Sequence, residues 1–431
     1  MKDFFAIRHK PAPHQFKKGD LLVLFGELFN RGYANGLVEE AEKNGLTVVR
    51  ATVGRRGADG ELRPLNEEEM ASIPKPFINV PLEAGFDLEK DEQNKSPNDY
   101  LSGIKLSDWQ SALVPESSLM FSKTKGRERF KKNTRKFLQE LEQYVTPGCH
   151  VHFAHLMAGG VPRCKIVMPL MNRVFKGIGD RFLDSKTFWE SGIGVFLQQN
   201  FREVTAETFN TLVEESTEFR EKIRNRGGTT SYVAYGYHGT EIIVNGKYEW
   251  QSYAPYIQGW AKVALEDYSR EWSKKGVKTC VYNCPEILTN SSSIFQGIEI
   301  PLYNLIRALD KEAPSSALTN KIKDDCKTAL KEGVTLSQVF AVVDAFLTSD
   351  IFSQTSVYEG WPHHSRKNQI ETALSTSDQI IELHKDEKSL MTATLSELVF
   401  KGCGYIMLHE AIEPSAPVAW IGHDIVVKSI I

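Results

Sequence analysis

Residues 229–266, TTSYVAYGYHGTEIIVNGKYEWQSYAPYIQGWAKVALE, hold several tyrosines and one lysine close enough along the chain to share a site. Hydride delivery to a carbonyl or enone leaves negative charge on oxygen. A positioned phenol can hydrogen-bond or protonate that oxygen, and a nearby ammonium favours the phenolate and can bind the hydroxyls of a nicotinamide ribose. Lys262 is the amine in this stretch. Tyr256, six residues earlier, would stand about 120° away around a continuous helix, an awkward pairing. Tyr253 precedes Ala254-Pro255, where the chain is biased toward extended backbone, so it can fold back toward Lys262 regardless of helical phase. Tyr253 is therefore preferred as the acid, with Tyr256 the alternative and Tyr237 a second phenol. Chance pairings are common among 14 tyrosines. Tyr358 and Lys367 repeat the separation in YEGWPHHSRK with no following strand at the right distance, and are read as coincidence.

The elements that must position these residues read as alternating strands and helices. LLVLF at 21–25 is a short continuous apolar run of the buried parallel-strand kind, followed by Gly26 and a helical pattern ending near Gly45, then LTVVRA at 46–51. This is a βαβ unit with a right-handed crossover. Further strands are expected at 77–82, 149–154, 230–235 and 277–282, with a last at 417–428. The alternation predicts an α/β fold, a Rossmann-type doubly wound parallel sheet. Residues 1–431 are expected to form one extended Rossmann-type domain with a polar, turn-rich insertion at 86–120 and a mainly helical one at 303–410.

Gly26, Gly32 and Gly36 stand in and beside the first turn. Glycines there let backbone N–H groups and the positive helix end approach a pyrophosphate, or simply allow tight packing. Their spacing is not GxGxxG, and on spacing alone both readings stand. After the second strand come Arg50, Arg55 and Arg56, with no acid where an NAD-preferring fold places one. Arginines at that edge can hold a 2′-phosphate through forked hydrogen bonds, which favours NADPH, with NADH not excluded.

Several segments in order and spacing resemble the enoyl-acyl-carrier-protein reductases of the short-chain dehydrogenase/reductase superfamily, nearest to the larger trans-2-enoyl reductases with a Tyr-x8-Lys site. YHGTE at 237–241, GWAKVALED at 259–267, the eight residues between Tyr253 and Lys262, GVKTCVYNCPEILTNSSSI at 276–294, IPLYNLI at 300–306 and GELFNRGYANGLV at 26–38 carry the likeness. The resemblance implies reduction of the 2,3-double bond of an enoyl thioester. Tyr253 would stabilise the oxyanion, Lys262 would bind ribose and Tyr237 would face the substrate. It further implies that Gly26, Arg31, Gly32 and Ala34 cradle the cofactor, that Ala158 and Gly159 lie beside the adenosine ribose, and that Pro285, Glu286, Ile287, Leu288 and Thr289 wrap the nicotinamide and pyrophosphate. The sequence departs from the family in a longer loop between Tyr237 and Tyr253 and in Met157-Ala158-Gly159-Gly160, where Asn-Ala-Gly is usual. A ketoacyl or other carbonyl reductase, or a non-catalytic cofactor-binding scaffold, is the alternative.

The chain has 431 residues, 52 Lys plus Arg against 55 Asp plus Glu, and 41% hydrophobic residues, which excludes disordered, collagen-like and membrane classes. A net charge of −3 gives no global pull toward nucleic acid. The six cysteines lack any CxxC and read as reduced, mostly buried thiols. With no signal-peptide core and no spanning apolar run, a cytoplasmic protein is expected, and the resemblance implies a monomer or homodimer. His150 and His152 share a strand face with His155 in the following loop, and no metal site is expected; His363 and His364 read as loop or surface packing. Residues 123–136, KTKGRERFKKNTRK, read as a solvated helix face, with docking of an acidic acyl-carrier protein as the sharper alternative. No serine-hydrolase elbow or P-loop is present.

Overall fold

Seven short apolar segments pair into one parallel sheet in the computed structural model, which describes residues 5–57, 60–251, 259–290, 292, 297–355 and 366–431. The strands are β1 (Leu21–Phe25), β2 (Thr47–Thr52), β3 (Phe77–Pro81), β4 (His150–His155), β5 (Thr229–Gly236), β6 (Thr279–Asn283) and β7 (Val418–Trp420). They lie in the order β3-β2-β1-β4-β5-β6-β7, every neighbour parallel. This is the expected Rossmann-type sheet.

Burial on both faces explains the continuous apolar runs. Along β1, Leu22 and Leu24 enter the core on one face, while Leu21, Val23 and Phe25 enter the core on the other. The first face packs against helix α1 (Tyr33–Lys43), the second against α2 (Glu116–Leu141), with Phe25 edge-on to Phe137 at 5.5 Å. Helix α3 (Trp260–Lys274) follows β5 and packs on the second face through Leu265.

Two expectations need correction. The segment 417–428 is not one strand: β7 stops at Trp420, and α5 (His423–Ile430) starts after Gly422. Its apolar residues are consecutive, Ile425, Val426 and Val427, and all are buried, a run whose length and burial do not separate strand from helix. Residues 86–120 are more than a polar insertion. Phe86, Leu101 and Trp109 join Phe188, Trp189 and Phe196 in a third apolar cluster, and α2 begins inside the segment at Glu116.

The described residues of 303–410 are mainly helical and end in α4 (Thr392–Glu410), which crosses α1 at backbone contact. A Cβ on Gly36 would lie 1.9 Å from the Phe400 carbonyl oxygen, and one on Gly404 would lie 2.1 Å from the carbonyl carbon of Gly36. In an open helix, alanine gains about 0.5–1 kcal/mol over glycine. Here Gly404→Ala should instead lose about 1–3 kcal/mol by overpacking. The loss would be read as a lower urea midpoint at unchanged slope, and a higher midpoint would show that the crossing widens freely.

Candidate active site

The strand order reverses between β1 and β4, so the loops leaving those strands diverge and open a crevice beyond the carboxyl ends. A solvent-open cleft of about 1150 Å³ lies there. Its walls are the β1–α1 turn, His155 at the end of β4 with the segment 156–159 after it, the end of β5, Lys262 from α3 and the loop after β6. Gly26 lets the first two walls meet: its φ is +131°, and a Cβ would come within 3.1 Å of Leu156. The positive end of α1 faces the same space through Tyr33 and Ala34, and the Tyr33 hydroxyl anchors to the Pro285 carbonyl at 2.7 Å.

At the end of β5 the site becomes chemical. The Lys262 amine is buried and donates to the Tyr235 carbonyl at 2.6 Å; burial pulls its pKa down to about 8. Tyr237 donates to Glu286 Oε1 at 2.7 Å, and burial pushes the Glu286 carboxyl up to about 7. His155 lines the cleft between them and α1, held neutral by burial and by the nearby Lys262 charge. The Thr208 hydroxyl gives its proton to the Val204 carbonyl at 2.6 Å, so it accepts from His155 Nε2 at 2.8 Å, and Nδ1 remains an acceptor. The Tyr235 hydroxyl is buried with no hydrogen-bond partner among the described residues, and its ring stacks on Tyr33 at 5.6 Å.

Of the residues expected from sequence, Tyr237, Lys262, Arg31, Gly32 and Ala34 line the cleft, as do Ala158, Gly159, Ile287 and Thr289. Gly26 and Pro285 do not line it but touch residues that do, Gly26 against Leu156 and Pro285 bonded to Tyr33. Tyr253 and Tyr256 lie outside the described residues, as do Tyr358, His363 and His364.

The three arginines do not line the cleft. Arg50 pairs with Glu42 at 2.9 Å, and the buried Arg56 reaches Glu83 at 3.3 Å and Glu89 at 3.5 Å. Both nitrogens of the Arg55 fork are held by Glu27 at 3.0 Å. The sequence shows two basic residues in a turn but not the acids that fold against them.

Sequence reasoning missed Glu27 and His155. Glu27 follows Gly26 in the expected turn, whose sequence reading rests on Gly26, Arg31, Gly32 and Ala34. His155 is the last residue of β4, not a loop residue, and strand alternation turns it away from His150 and His152. Those two are buried and bonded to Ser231. Among the described residues no group of three or more His, Cys, Asp or Glu could hold a metal ion. The longer loop after Tyr237 is an antiparallel hairpin, Thr240–Val244 with Lys247–Gln251. Asn245-Gly246 at its tip has positive φ at both residues, the two-residue turn that an Asn-Gly between apolar runs signals.

The basic segment 123–136 lies on α2 and is largely paired within the protein. Arg127 holds Glu203 at 2.6 Å, Arg129 holds Glu89 at 2.8 Å, and Lys131 and Arg135 face Glu214 and Glu215. All six cysteines are free and buried, as expected. Among the described residues no helix is long and apolar enough to cross a membrane.

A doubly wound parallel sheet whose switch-point crevice joins a glycine turn to a buried lysine and a tyrosine is a Rossmann-type reductase architecture. The family described as enoyl-acyl carrier protein reductase FabMG matches residues 3–430, and the chain belongs to that family. The apo structure of FabMG, a novel type of enoyl-acyl carrier protein reductase, is 41% identical over 100% of this chain and 98% of that chain, with a TM-score of 0.95. An NADH-bound FabMG structure is 36% identical over 100% of this chain and 99% of that one, with a TM-score of 0.80. Trans-2-enoyl-CoA reductase of Clostridium acetobutulicum with NADH is 11% identical over 94% of this chain and 87% of that one, with a TM-score of 0.33. Among curated proteins none matches this chain. Family membership decides for enoyl reduction over the carbonyl-reductase and scaffold alternatives.

Burial raises Glu286, so the stability it contributes is present in acid and is lost as pH rises through about 7. Glu286→Gln, which stays neutral, should flatten that part of the decline in urea midpoints measured from mildly acidic to mildly alkaline pH. An identical decline in the variant would place the titration elsewhere.

Proposed function

We propose that this enoyl reductase lays a reduced nicotinamide dinucleotide along the crevice and reduces the 2,3-double bond of an enoyl thioester above Tyr237 and Lys262. The observation that carries the reading is that a buried amine and a phenol from separate segments meet the glycine turn and the end of α1 in one cleft. That cleft fits the dinucleotide at both ends. The glycine turn and helix N-terminus suit phosphates, and Arg31 adds a cation on the same wall. Bound there, the dinucleotide supplies hydride to the β-carbon.

The remaining work falls to side chains of this protein. Lys262 spends one N–H on the Tyr235 carbonyl and keeps two for ribose hydroxyls. Its charge, held close to the reacting oxygen, favours the negative charge that develops there. Tyr253 is the proposed acid on that oxygen, an assignment that rests on its spacing from Lys262. Tyr237 is the second phenol, placed by its bond to Glu286. Apolar walls from Leu156, Met157 and Ile287 limit water beside the acyl chain.

Lys262→Ala and Tyr253→Phe should each lower kcat by roughly 10²-fold or more, followed as enoyl-dependent loss of reduced-nicotinamide absorbance. Wild-type kcat should fall as pH rises through about 8, where Lys262 loses its proton. Rates unchanged in both variants would remove the pair from the chemistry.

For the acyl carrier, we place docking on the part of segment 123–136 that internal acids leave uncommitted. Lys132 is exposed and has no partner among the described residues. Lys132→Glu should raise KM for a carrier-bound enoyl substrate and spare a CoA-linked one; equal effects on both would remove this surface. The buried free thiols support a reducing, cytoplasmic setting, and monomer or homodimer is the proposed assembly.

A further inference from the structure

Reduction of an enoyl thioester consumes a hydride and a proton. The hydride ends on the β-carbon and the proton on the α-carbon, so a phenol that steadies the enolate oxygen leaves the α-carbon still to be protonated. One acid buried in the cleft is bonded to a phenol of the same cleft: Glu286, 7% exposed, meets the Tyr237 hydroxyl at 2.7 Å. Both partners are clamped by their own elements. The Pro285 carbonyl is held by Tyr33 at 2.7 Å and the Leu288 N–H by Ser396 at 2.9 Å, which fixes the chain on either side of Glu286. Tyr237 follows β5 at a turn where the His238 N–H donates to Asn283 Oδ1 at 2.8 Å, and Asn283 donates in turn to the buried Glu266 at 2.9 Å. Gly236 permits that turn, since a Cβ there would overlap the Asn283 amide.

We propose that Glu286 and Tyr237 form a proton relay to the α-carbon of the substrate; the inference rests on the cleft reading proposed above. Tyr237 is the group that touches substrate, and Glu286 acts through it. As hydride forms the new bond at the β-carbon, the π electrons of the double bond pass into the enolate. Those electrons then form the α-carbon's C–H bond as the phenol O–H breaks, the Glu286 carboxyl proton passes to the phenol oxygen, and cleft water refills the carboxylate. One hydride and one solvent proton are consumed per turnover, and Tyr253 keeps its separate place at the oxygen. The chemistry of the pair sets the direction. An ionised carboxylate only accepts and holds the phenol proton away from substrate, whereas a neutral carboxyl donates to the phenol oxygen and turns the phenol O–H outward. Burial keeps Glu286 neutral up to about pH 7, and Glu299, from the short helix Glu299–Leu302, adds like charge in the same sense. Lys262, His155, Arg31, Glu27, Tyr33 and Tyr235 line the same cleft, and among the described residues Glu286 is bonded to Tyr237 and to none of these.

The test follows the proton. Crotonyl-CoA reduced in D2O by a nicotinamide dinucleotide deuterated at the transferred position should give one diastereomer of product with deuterium on both carbons, read by NMR. Tyr237→Phe should mix the two diastereomers, as water takes over the α-carbon. Glu286→Gln keeps the volume and the acceptor for Tyr237, so a purely structural role survives it. A relay does not: kcat should fall roughly 10²-fold at little-changed KM, with a larger solvent isotope effect and the single diastereomer retained. Glu286→Asp should recover part of that rate. Wild-type kcat should begin to fall as pH rises through about 7, ahead of the step set by Lys262, and Glu286→Gln should keep only the later step. Glu286→Gln at the wild-type rate, equal losses in the Gln and Asp variants, or an unmixed product from Tyr237→Phe overturns the relay while leaving the cleft intact. Lys262→Ala at the wild-type rate takes the chemistry out of the cleft, and this inference with it.

Discussion

Helices α1 and α4 touch backbone to backbone, and that contact fixes where the first turn of α1 can stand. Glycine on both sides brings the axes closer than any side chain would allow. α1 is the helix whose N-terminus faces the cleft, so a crossing widened by one methyl would lift its first turn off the sheet end. The same turn is held from below by Gly26 against Leu156, and from the side by Tyr33 bonded to the Pro285 carbonyl. The helical stretch that precedes β7 therefore supports the site: it delivers α4 to α1, and Ser396 of α4 accepts from the Leu288 N–H, steadying the loop after β6.

What the sequence makes legible follows from how local the determining forces are. Strands buried on both faces announce themselves as apolar runs, and the six expected before residue 300 lie within one or two residues of where the structure has them. The C-terminal run fails that test because Ile425, Val426 and Val427 are buried whichever conformation they adopt, so only the break at Gly422 marks the change. The hairpin after Tyr237 is legible in Asn245-Gly246 between an apolar run, Ile242 to Val244, and the alternating Tyr248 and Trp250.

Charge pairing across long sequence separations is the part that a linear reading does not reach. Arg56 and Arg129 share Glu89, with Glu83 beside them, a cluster drawn from three regions of the chain. The basic run on α2 reads as a free positive face because its partners, Glu203, Glu214 and Glu215, come from helices some eighty residues away. The third glycine of the first turn shows the same limit from the other side. Spacing left phosphate binding and tight packing equally open, and Gly36 serves packing because of a helix that arrives more than three hundred residues later.

The chemical end of the cleft uses burial where much of the surface uses pairing, and the difference has a consequence for catalysis. Lys262 and Glu286 line one cleft, yet the hydrogen bonds described for them go to neutral groups, a backbone carbonyl and a phenol. An ion pair between a lysine and a glutamate would drive the amine up and the carboxyl down, locking both charged across the accessible pH range. Burial beside neutral partners does the opposite: the amine falls to about 8 and the carboxyl rises to about 7, so both approach the range in which a proton can be gained and lost during turnover. His155, kept neutral beside the lysine, adds no competing positive charge. The fold thus meets two opposed demands by position: Arg55 is tied by a full ion pair at the end of β2, while the groups nearest the proposed reaction centre are left poised.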